Sequence, residues 1–295
     1  MDFAGKFKIW FGLSLVLIIV GLGFMLVQGF NLGIDFEGGG LLELQFEESV
    51  NSEQVRGVLE KYNLEKSAIQ SAGTNAFIIR TETLTEEQGI QVLDGLEKDL
   101  GKMEILRNEK VSGVIGDELT RNGILAVVLA SVGIVFYITW RFEFNFAIGG
   151  IVALLHDILI MIVFMAVSQL EVDSTFIAAL LTTLGYSIND TIVVFDRIRE
   201  NIKGGKYKND IKALVNDSIM QTLRRTIFTG GATVIALIAL IVFGGETTKV
   251  FSIAMLVGCI SGVYSTIFIA SPMWMVMREI RSPKGGSKRL RAQRT

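Results

Sequence analysis

One histidine, one cysteine and two prolines in 295 residues leave little of the side-chain equipment on which enzymes draw. A lone Cys259 cannot close an internal disulfide, and its place in an apolar run gives it a packing role. His156 has no second histidine or cysteine cluster beside it, so no metal site is expected. The phosphate-binding patterns GxGxxG and GxxxxGK(S/T) are absent, as is any nucleophile triad, which excludes nucleotide hydrolysis by this chain and argues against an enzyme. With no cofactor-binding motif, no cofactor is expected. The two prolines, Pro272 and Pro283, stand near the end, so helices elsewhere run uninterrupted.

Apolar side chains, by contrast, make up half the chain, with mean hydropathy +0.49 and only 20% charged residues. The two characters must be segregated along the sequence. After Lys6 and Lys8, the run Ile9 to Phe30 is long enough to cross a bilayer at about 1.5 Å per residue. It exceeds a signal-peptide core and no small-x-small cleavage site follows, so 1–30 is expected to hold an uncleaved first transmembrane helix.

Residues 31–121 have the pattern of a water-exposed domain. An alternating strand begins at Leu41, and a helix near Asn51 has Ser52 as its expected cap. Strands follow at 67–71 and 76–81, then a helix opening at Thr85 and a last strand at 103–111. That order, βαββαβ, predicts a small ferredoxin-like α+β domain.

From 122 to 277 the apolar signal returns, with spans expected at 123–140, 146–167, 174–195, 226–243 and 250–273. The fold class is therefore a polytopic α-helical membrane protein of six transmembrane helices, with the α+β domain between helices 1 and 2. An amphipathic helix near 209–224, with Ile211, Leu214, Val215, Ile219 and Leu223 on one face, is expected to lie along the cytoplasmic interface. A basic tail closes the chain at 278–295. Lys and Arg concentrate in the N-terminus, the 141–145 and 197–225 links and this tail, with only Lys249 in the opposite links, so both termini are expected in the cytoplasm. The domain, outside, carries about eighteen acidic against nine basic residues and is a poor match for nucleic acid. The tail is suited to membrane lipid.

Intramembrane polarity is what remains to carry chemistry. An Asp at mid-membrane costs roughly 2.5 to 3.5 kcal/mol on insertion scales, so Asp190 needs a partner or a task. It lies beside Asn189 and six residues, about 9 Å, inside the charged cluster Asp196, Arg197, Arg199, Glu200 and Asn201. Arg224 and Arg225, at the head of the fifth helix, can each extend toward it. An arginine that approaches or leaves an acid switches its charge state, the minimum for a proton relay; a static ion pair is the alternative. His156 and Asp157 in the third helix read as a secondary relay or as packing. Gly149, Gly150, Gly230, Gly231, Gly258 and Gly262 are expected to permit close helix contact.

The segments LGIDFEGGG (Leu32–Gly40), WRFEFNFA (Trp140–Ala147), His156–Asp157, GYSINDTIVVFDRIREN (Gly185–Asn201), QTLRRTIFTGG (Gln221–Gly231) and FGG (Phe243–Gly245) together resemble the SecF family of the SecD/SecF protein-export complex, within the resistance-nodulation-division superfamily. The resemblance implies a subunit of the bacterial cytoplasmic membrane that pairs with a SecD-like subunit. It implies use of the proton gradient, in place of a cofactor, to complete export of unfolded polypeptide through the SecY channel. It assigns the relay acid to Asp190 and its arginine to Arg225, with Arg224 an additional cation, and makes Asp35, Gly38, Gly39 and Gly40 a motif at the base of the domain. A scaffold without a relay, and a half-transporter for lipid or small amphiphiles, are the alternative functions.

Overall fold

A computed structural model describes residues 2–205, 207 and 210–281. The basic tail from Ser282 on lies outside the described residues, as do Lys206, Lys208 and Asn209. The described chain divides into two compact units, one built from the N-terminal thirty residues, Val127–Leu170 and the chain from Phe176, the other from Asn31–Ala126 and Glu171–Thr175.

The larger unit begins with α1 (Phe7–Gln28), apolar on all sides and ended by Gly29 at φ 71°, a conformation glycine enters without a Cβ penalty. The smaller unit follows: a single turn, α2 (Ile34–Glu37), then β1 (Gly39–Phe46), α3 (Ser52–Glu60), β2 (Ala68–Gly73), β3 (Ala76–Thr81), α4 (Glu86–Leu100) and β4 (Met103–Val111). The four strands form one antiparallel sheet in the order β2-β3-β1-β4. Alternation in β1 sends Leu42, Leu44 and Phe46 to one face, and register sets Leu42 opposite Ile79 and Leu44 opposite Phe77. Onto that face pack Val55, Val58 and Leu59 of α3 with Val92 and Leu96 of α4. Both helices start with a reciprocal capping box. For α3 the cap is Asn51 rather than the expected Ser52, because its Oδ1 accepts from the Gln54 amide at 2.9 Å while Gln54 Oε1 accepts from the Asn51 amide at 2.9 Å. For α4, Thr85 and Gln88 make the same exchange.

The remaining helices are α5 (Gly113–Arg141), α6 (Phe144–Ser168), α7 (Ser174–Lys203), α8 (Ile211–Phe243), α9 (Glu246–Ser265) and α10 (Ser271–Arg281). Six stretches are long and apolar enough to cross a membrane: α1, α5, α6, α7, α8 and Thr248–Ile280, which runs from α9 into α10. Between those two, residues Thr266–Ala270 form a π-turn. Pro272 has no amide hydrogen to give its i−4 carbonyl, so the ladder slips there, and the Ser271 hydroxyl donates to the Thr266 carbonyl at 2.9 Å.

The expected interfacial helix is another point of difference. No separate interfacial helix exists at 209–224 among the described residues; the amphipathic stretch is the opening of α8, one helix of 33 residues. Leu214, Val215 and Ile219 are buried as its pattern requires, but nothing between 211 and 229 breaks the helix before the apolar run begins.

Close packing in the larger unit rests on glycines where helices meet. A Cβ on Gly258 would lie 2.5 Å from the Thr183 side chain, and one on Gly262 would lie 2.9 Å from Ser187 Cβ. Gly149, Gly150 and Gly230 are also close to neighbours, whereas Gly231 faces open space and does not serve the expected contact.

Candidate functional site

The buried side chains of α7 recur at helical spacing, among them Thr183, Ser187, Asp190, Thr191, Val194 and Ile198. This face carries Asp190 into the interior, where it is 4% exposed and its Oδ2 has no hydrogen-bond partner. Asn189, one position before it, points off that face and is exposed. Of the two arginines, Arg225 is the cation whose charge acts on Asp190, yet no ion pair within 4.0 Å forms between them. The Arg224 guanidinium instead lies over the Phe228 ring, 5.5 Å from its centroid. Both arginines are exposed on α8. Because α8 is continuous they stand well inside it, with Arg225 eighteen residues before Phe243, or about 27 Å, near one bilayer width from that end.

Thr229 and Thr233 follow on α8, their hydroxyls returned to the carbonyls of Arg225 and Thr229 at 2.9 and 3.2 Å. Across from them is the buried Tyr186 hydroxyl. Thr191 Oγ1 and Thr266 Oγ1 meet at 2.8 Å, which ties α7 to the π-turn.

A second polar centre surrounds Asp157, which is wholly buried. Its carboxylate accepts from Ser187 Oγ at 2.6 Å, Ser261 Oγ at 2.6 Å and Ser265 Oγ at 2.8 Å, and lies 3.1 Å from His156 Nδ1. The far ring nitrogen of His156 reaches Ser14 Oγ on α1 at 3.1 Å. Four helices, α1, α6, α7 and α9, thus meet in one hydrogen-bonded cluster. The serines escaped notice in the sequence, because small hydroxyl residues are common in membrane helices and no local pattern ties these to an acid on another helix.

At the end of α7 the charged motif divides. Asp196 accepts from Arg199 at 2.8 Å and lies 3.7 Å from Arg141, and both guanidiniums cover the Phe142 ring. Phe142, Phe146, Phe195 and Trp274 form a contiguous aromatic cluster beneath. Asn201 donates to Ser218 Oγ at 2.8 Å and to Gln221 Oε1 at 3.2 Å, joining α7 to α8. Arg197 and Glu200 pair with each other at 3.0 Å on an exposed turn.

The glycine motif of the smaller unit is a backbone device. Gly38 and Gly39 hold φ of 75° and 126°, and a Cβ on Gly39 would lie 2.5 Å from the Thr81 carbonyl oxygen. A Cβ on Gly40 would lie 2.8 Å from Thr81 Oγ1. Asp35 Oδ2 accepts from the Ser174 amide at 2.9 Å. Nearby, Arg80 donates to Asn31 at 2.9 Å and to Glu171 at 2.6 Å. Burial pushes the Glu171 carboxyl above its ordinary range, and the Arg80 guanidinium opposes that rise.

A family model described as "Protein export membrane protein SecD/SecF, C-terminal" matches residues 92–280, and one described as "SecD/SecF GG Motif" matches residues 23–50. The chain is similar to the protein translocase subunit SecF of Acidaminococcus fermentans, 43% identical over 279 residues, 92% of this chain and 95% of that one. It is 38% identical over 281 residues to the protein translocase subunit SecDF of Bacillus subtilis, covering 94% of this chain and 38% of that one. The crystal structure of SecDF from Thermus thermophilus, described as a translocon-associated membrane protein, matches with a TM-score of 0.87 at 34% identity, over 95% of this chain and 39% of that one. The chain therefore spans about two fifths of the SecDF chains and nearly the whole of the SecF chain.

Proposed function

The chain belongs to the SecF family of protein-export membrane subunits, and from that premise we propose that it is one half of a proton-driven export motor whose other half is a SecD-like subunit. The observation that carries the reading is Asp190: buried, with one carboxyl oxygen unpartnered, and within the field of an arginine that has not closed on it. A buried acid left in this way stores free energy of about 1 to 3 kcal/mol that a proton or an arginine can release.

Ionised, Asp190 attracts Arg225 and draws α8 toward α7. Protonated, it releases the guanidinium. Two unit charges brought to 4 Å attract by about 4 kcal/mol at an effective dielectric of 20, and a charge crossing 100 mV gains about 2.3 kcal/mol. The two are of one order, so a proton gradient can reset the contact on each cycle. The gradient takes the place of a cofactor.

In this reading both termini and the cluster from Asp196 to Asn201 face the cytoplasm, in the direction of the Lys and Arg bias. The smaller unit lies outside as a ferredoxin-like domain, whose strand order and helices suit that split βαβ plan. There it meets unfolded polypeptide emerging from the SecY channel, and its acidic surface gives nucleic acid no purchase. Membrane lipid covers the apolar faces that the partner leaves free.

A static scaffold would place Asp190 and Arg225 in a closed ion pair, and the open geometry favours the relay. A half-transporter of lipid or amphiphiles calls for a broad apolar pocket in the domain. The cleft beside α4 mixes Leu84, Ile90 and Leu93 with Glu86, Glu109 and Lys110 instead.

Proton-driven export from inverted membrane vesicles tests the proposal. Asp190→Asn is expected to reduce translocation to the level seen without a gradient, and undiminished export would reject the relay. The double variant Asp190→Arg with Arg225→Asp separates the readings: a scaffold keeps assembly and export together, whereas the relay assembles and fails to export.

A further inference from the structure

Apart from Asp190, the membrane-spanning unit buries an ionisable pair, His156 and Asp157, and the donors around it fix how many protons that pair holds. The chain of contacts begins at the Trp10 carbonyl, which receives the Tyr264 hydroxyl at 2.8 Å. A carbonyl oxygen only accepts, and a phenol has one hydrogen to give. The 2.9 Å contact between Tyr264 Oη and Ser14 Oγ must therefore take its hydrogen from Ser14. Ser14 has then spent its own hydrogen and meets His156 Nε2, 3.1 Å away, as an acceptor. Nε2 carries a hydrogen. On the other side of the ring, Ser261 Oγ lies 3.5 Å from Nδ1 but gives its one hydrogen to Asp157 Oδ1 at 2.6 Å; Nδ1 and Oδ1 stand 3.1 Å apart, where a bare nitrogen facing a bare carboxylate oxygen would repel, so a hydrogen lies between them as well.

We infer that His156 and Asp157 form a buried proton-binding site, holding one proton beyond a neutral imidazole and a carboxylate, with Ser14, Tyr264 and the Trp10 carbonyl as the chain that fixes its orientation. Ser187, Ser261 and Ser265 all donate to Asp157, so both its oxygens already act as acceptors and the hydrogen facing Oδ1 is drawn on the ring nitrogen. The Tyr264 ring lies against the imidazole, centroids 5.5 Å apart and planes at 26°, a position that suits a cationic ring. Among the described residues, every hydrogen bond that reaches the pair from α1, α7 and α9 comes from a hydroxyl, an uncharged group.

The site has a mechanical consequence. Loss of the proton leaves either a ring lone pair against the carboxylate or a reversal of every donor out to Trp10, so deprotonation loosens α1 from α6 and α9. Ser187 lies three residues before Asp190 on α7, one helical turn away. The site stands on donor and acceptor counting, and it holds whether or not Asp190 relays protons.

Because His156 is the chain's one histidine, full-length protein labelled with ¹⁵N-histidine and placed in lipid bilayers gives one pair of ring signals in solid-state NMR. The expected spectrum has Nε2 protonated and a strongly hydrogen-bonded proton at Nδ1. A neutral ring, with either nitrogen bare, would overturn the inference. In Tyr264→Phe the ring stack stays while Ser14 is freed to donate, and partial loss of the Nε2–H signal is expected; an unchanged spectrum shows that Tyr264 does not set the direction and counts against the site. Ser265→Ala removes one donor from Asp157 without touching the chain to Trp10, and is expected to keep the Nε2–H signal; its loss there would also count against the proposed wiring. None of these spectra depends on export, so failure of the proton-drive reading leaves a separate signature.

Discussion

Among the described residues, two carboxylates lie buried in the membrane-spanning helices, and their surroundings differ. Asp157 has three hydroxyl donors and a ring nitrogen, while one oxygen of Asp190 has no partner. A buried charge with all its partners fixes helices to one another, whereas an unpartnered one destabilises the fold it sits in. Asp157→Ala, which strands the proton-bearing His156 and three hydroxyls, is expected to destabilise the protein by about 3 to 5 kcal/mol. Asp190→Asn is expected to leave stability unchanged or slightly higher. Denaturant unfolding of the two variants in detergent measures the contrast, and equal losses would show that Asp190 is structural after all. Sequence alone identified Asp190, His156 and Asp157 as the residues to weigh, since an acid in an apolar run is conspicuous. It could not separate a satisfied acid from a hungry one, because Ser261 and Ser265 lie about a hundred residues from Asp157 and look like any other small hydroxyl residues.

Among the elements, the six apolar stretches and four strands follow directly from periodicity, and the strands at 76–81 and 103–111 fall where alternation places them. The start of α8 does not. Its amphipathic face and the Arg224–Arg225 pair look like a boundary, but a boundary in polarity is not one in backbone, and no proline or capping residue stops the helix there. Gly231 shows the same limit, since hydropathy does not reveal which side of a helix meets a neighbour. Gly258→Leu is therefore expected to force Thr183 and Met161 apart and destabilise by about 1 to 3 kcal/mol, whereas Gly231→Leu is expected to be tolerated. Thermal unfolding of both variants checks the assignment, and a Gly231 variant as damaged as the Gly258 one would contradict it.

Across the whole molecule, contacts that join distant parts of the chain had no local signature. The smaller unit recruits Glu171–Thr175, the junction at which the span expected at 174–195 begins, through the Arg80–Glu171 ion pair and a bridge between Leu32 and Val172. The N-terminus offers a sharper case. Ala4 donates its amide to Asn216 Oδ1 at 2.9 Å across 212 residues, and Asp2 accepts from Asn216 Nδ2 at 3.0 Å and pairs with Lys212 at 2.9 Å. Hydrogen bonds from Lys212, Asn216 and the Gly5 amide hold the Asp2 carboxyl at about 2, below its ordinary 3.8. A depressed acid stabilises the folded contact while it is ionised, so docking of the N-terminus on α8 is complete above pH 3.8 and is lost as the pH falls toward 2. The group is fully exposed, so salt screens the effect, and it should weaken at high ionic strength. Amide hydrogen exchange at Ala4 and Gly5, corrected for the intrinsic pH dependence of exchange, is expected to quicken through that window in the wild type. In Asp2→Asn the exchange is expected to be fast and independent of pH over the same range. Protection of these amides that persists at pH 2 in the wild type would show that packing of Phe3 and Ala4, and not the carboxylate, holds the N-terminus in place.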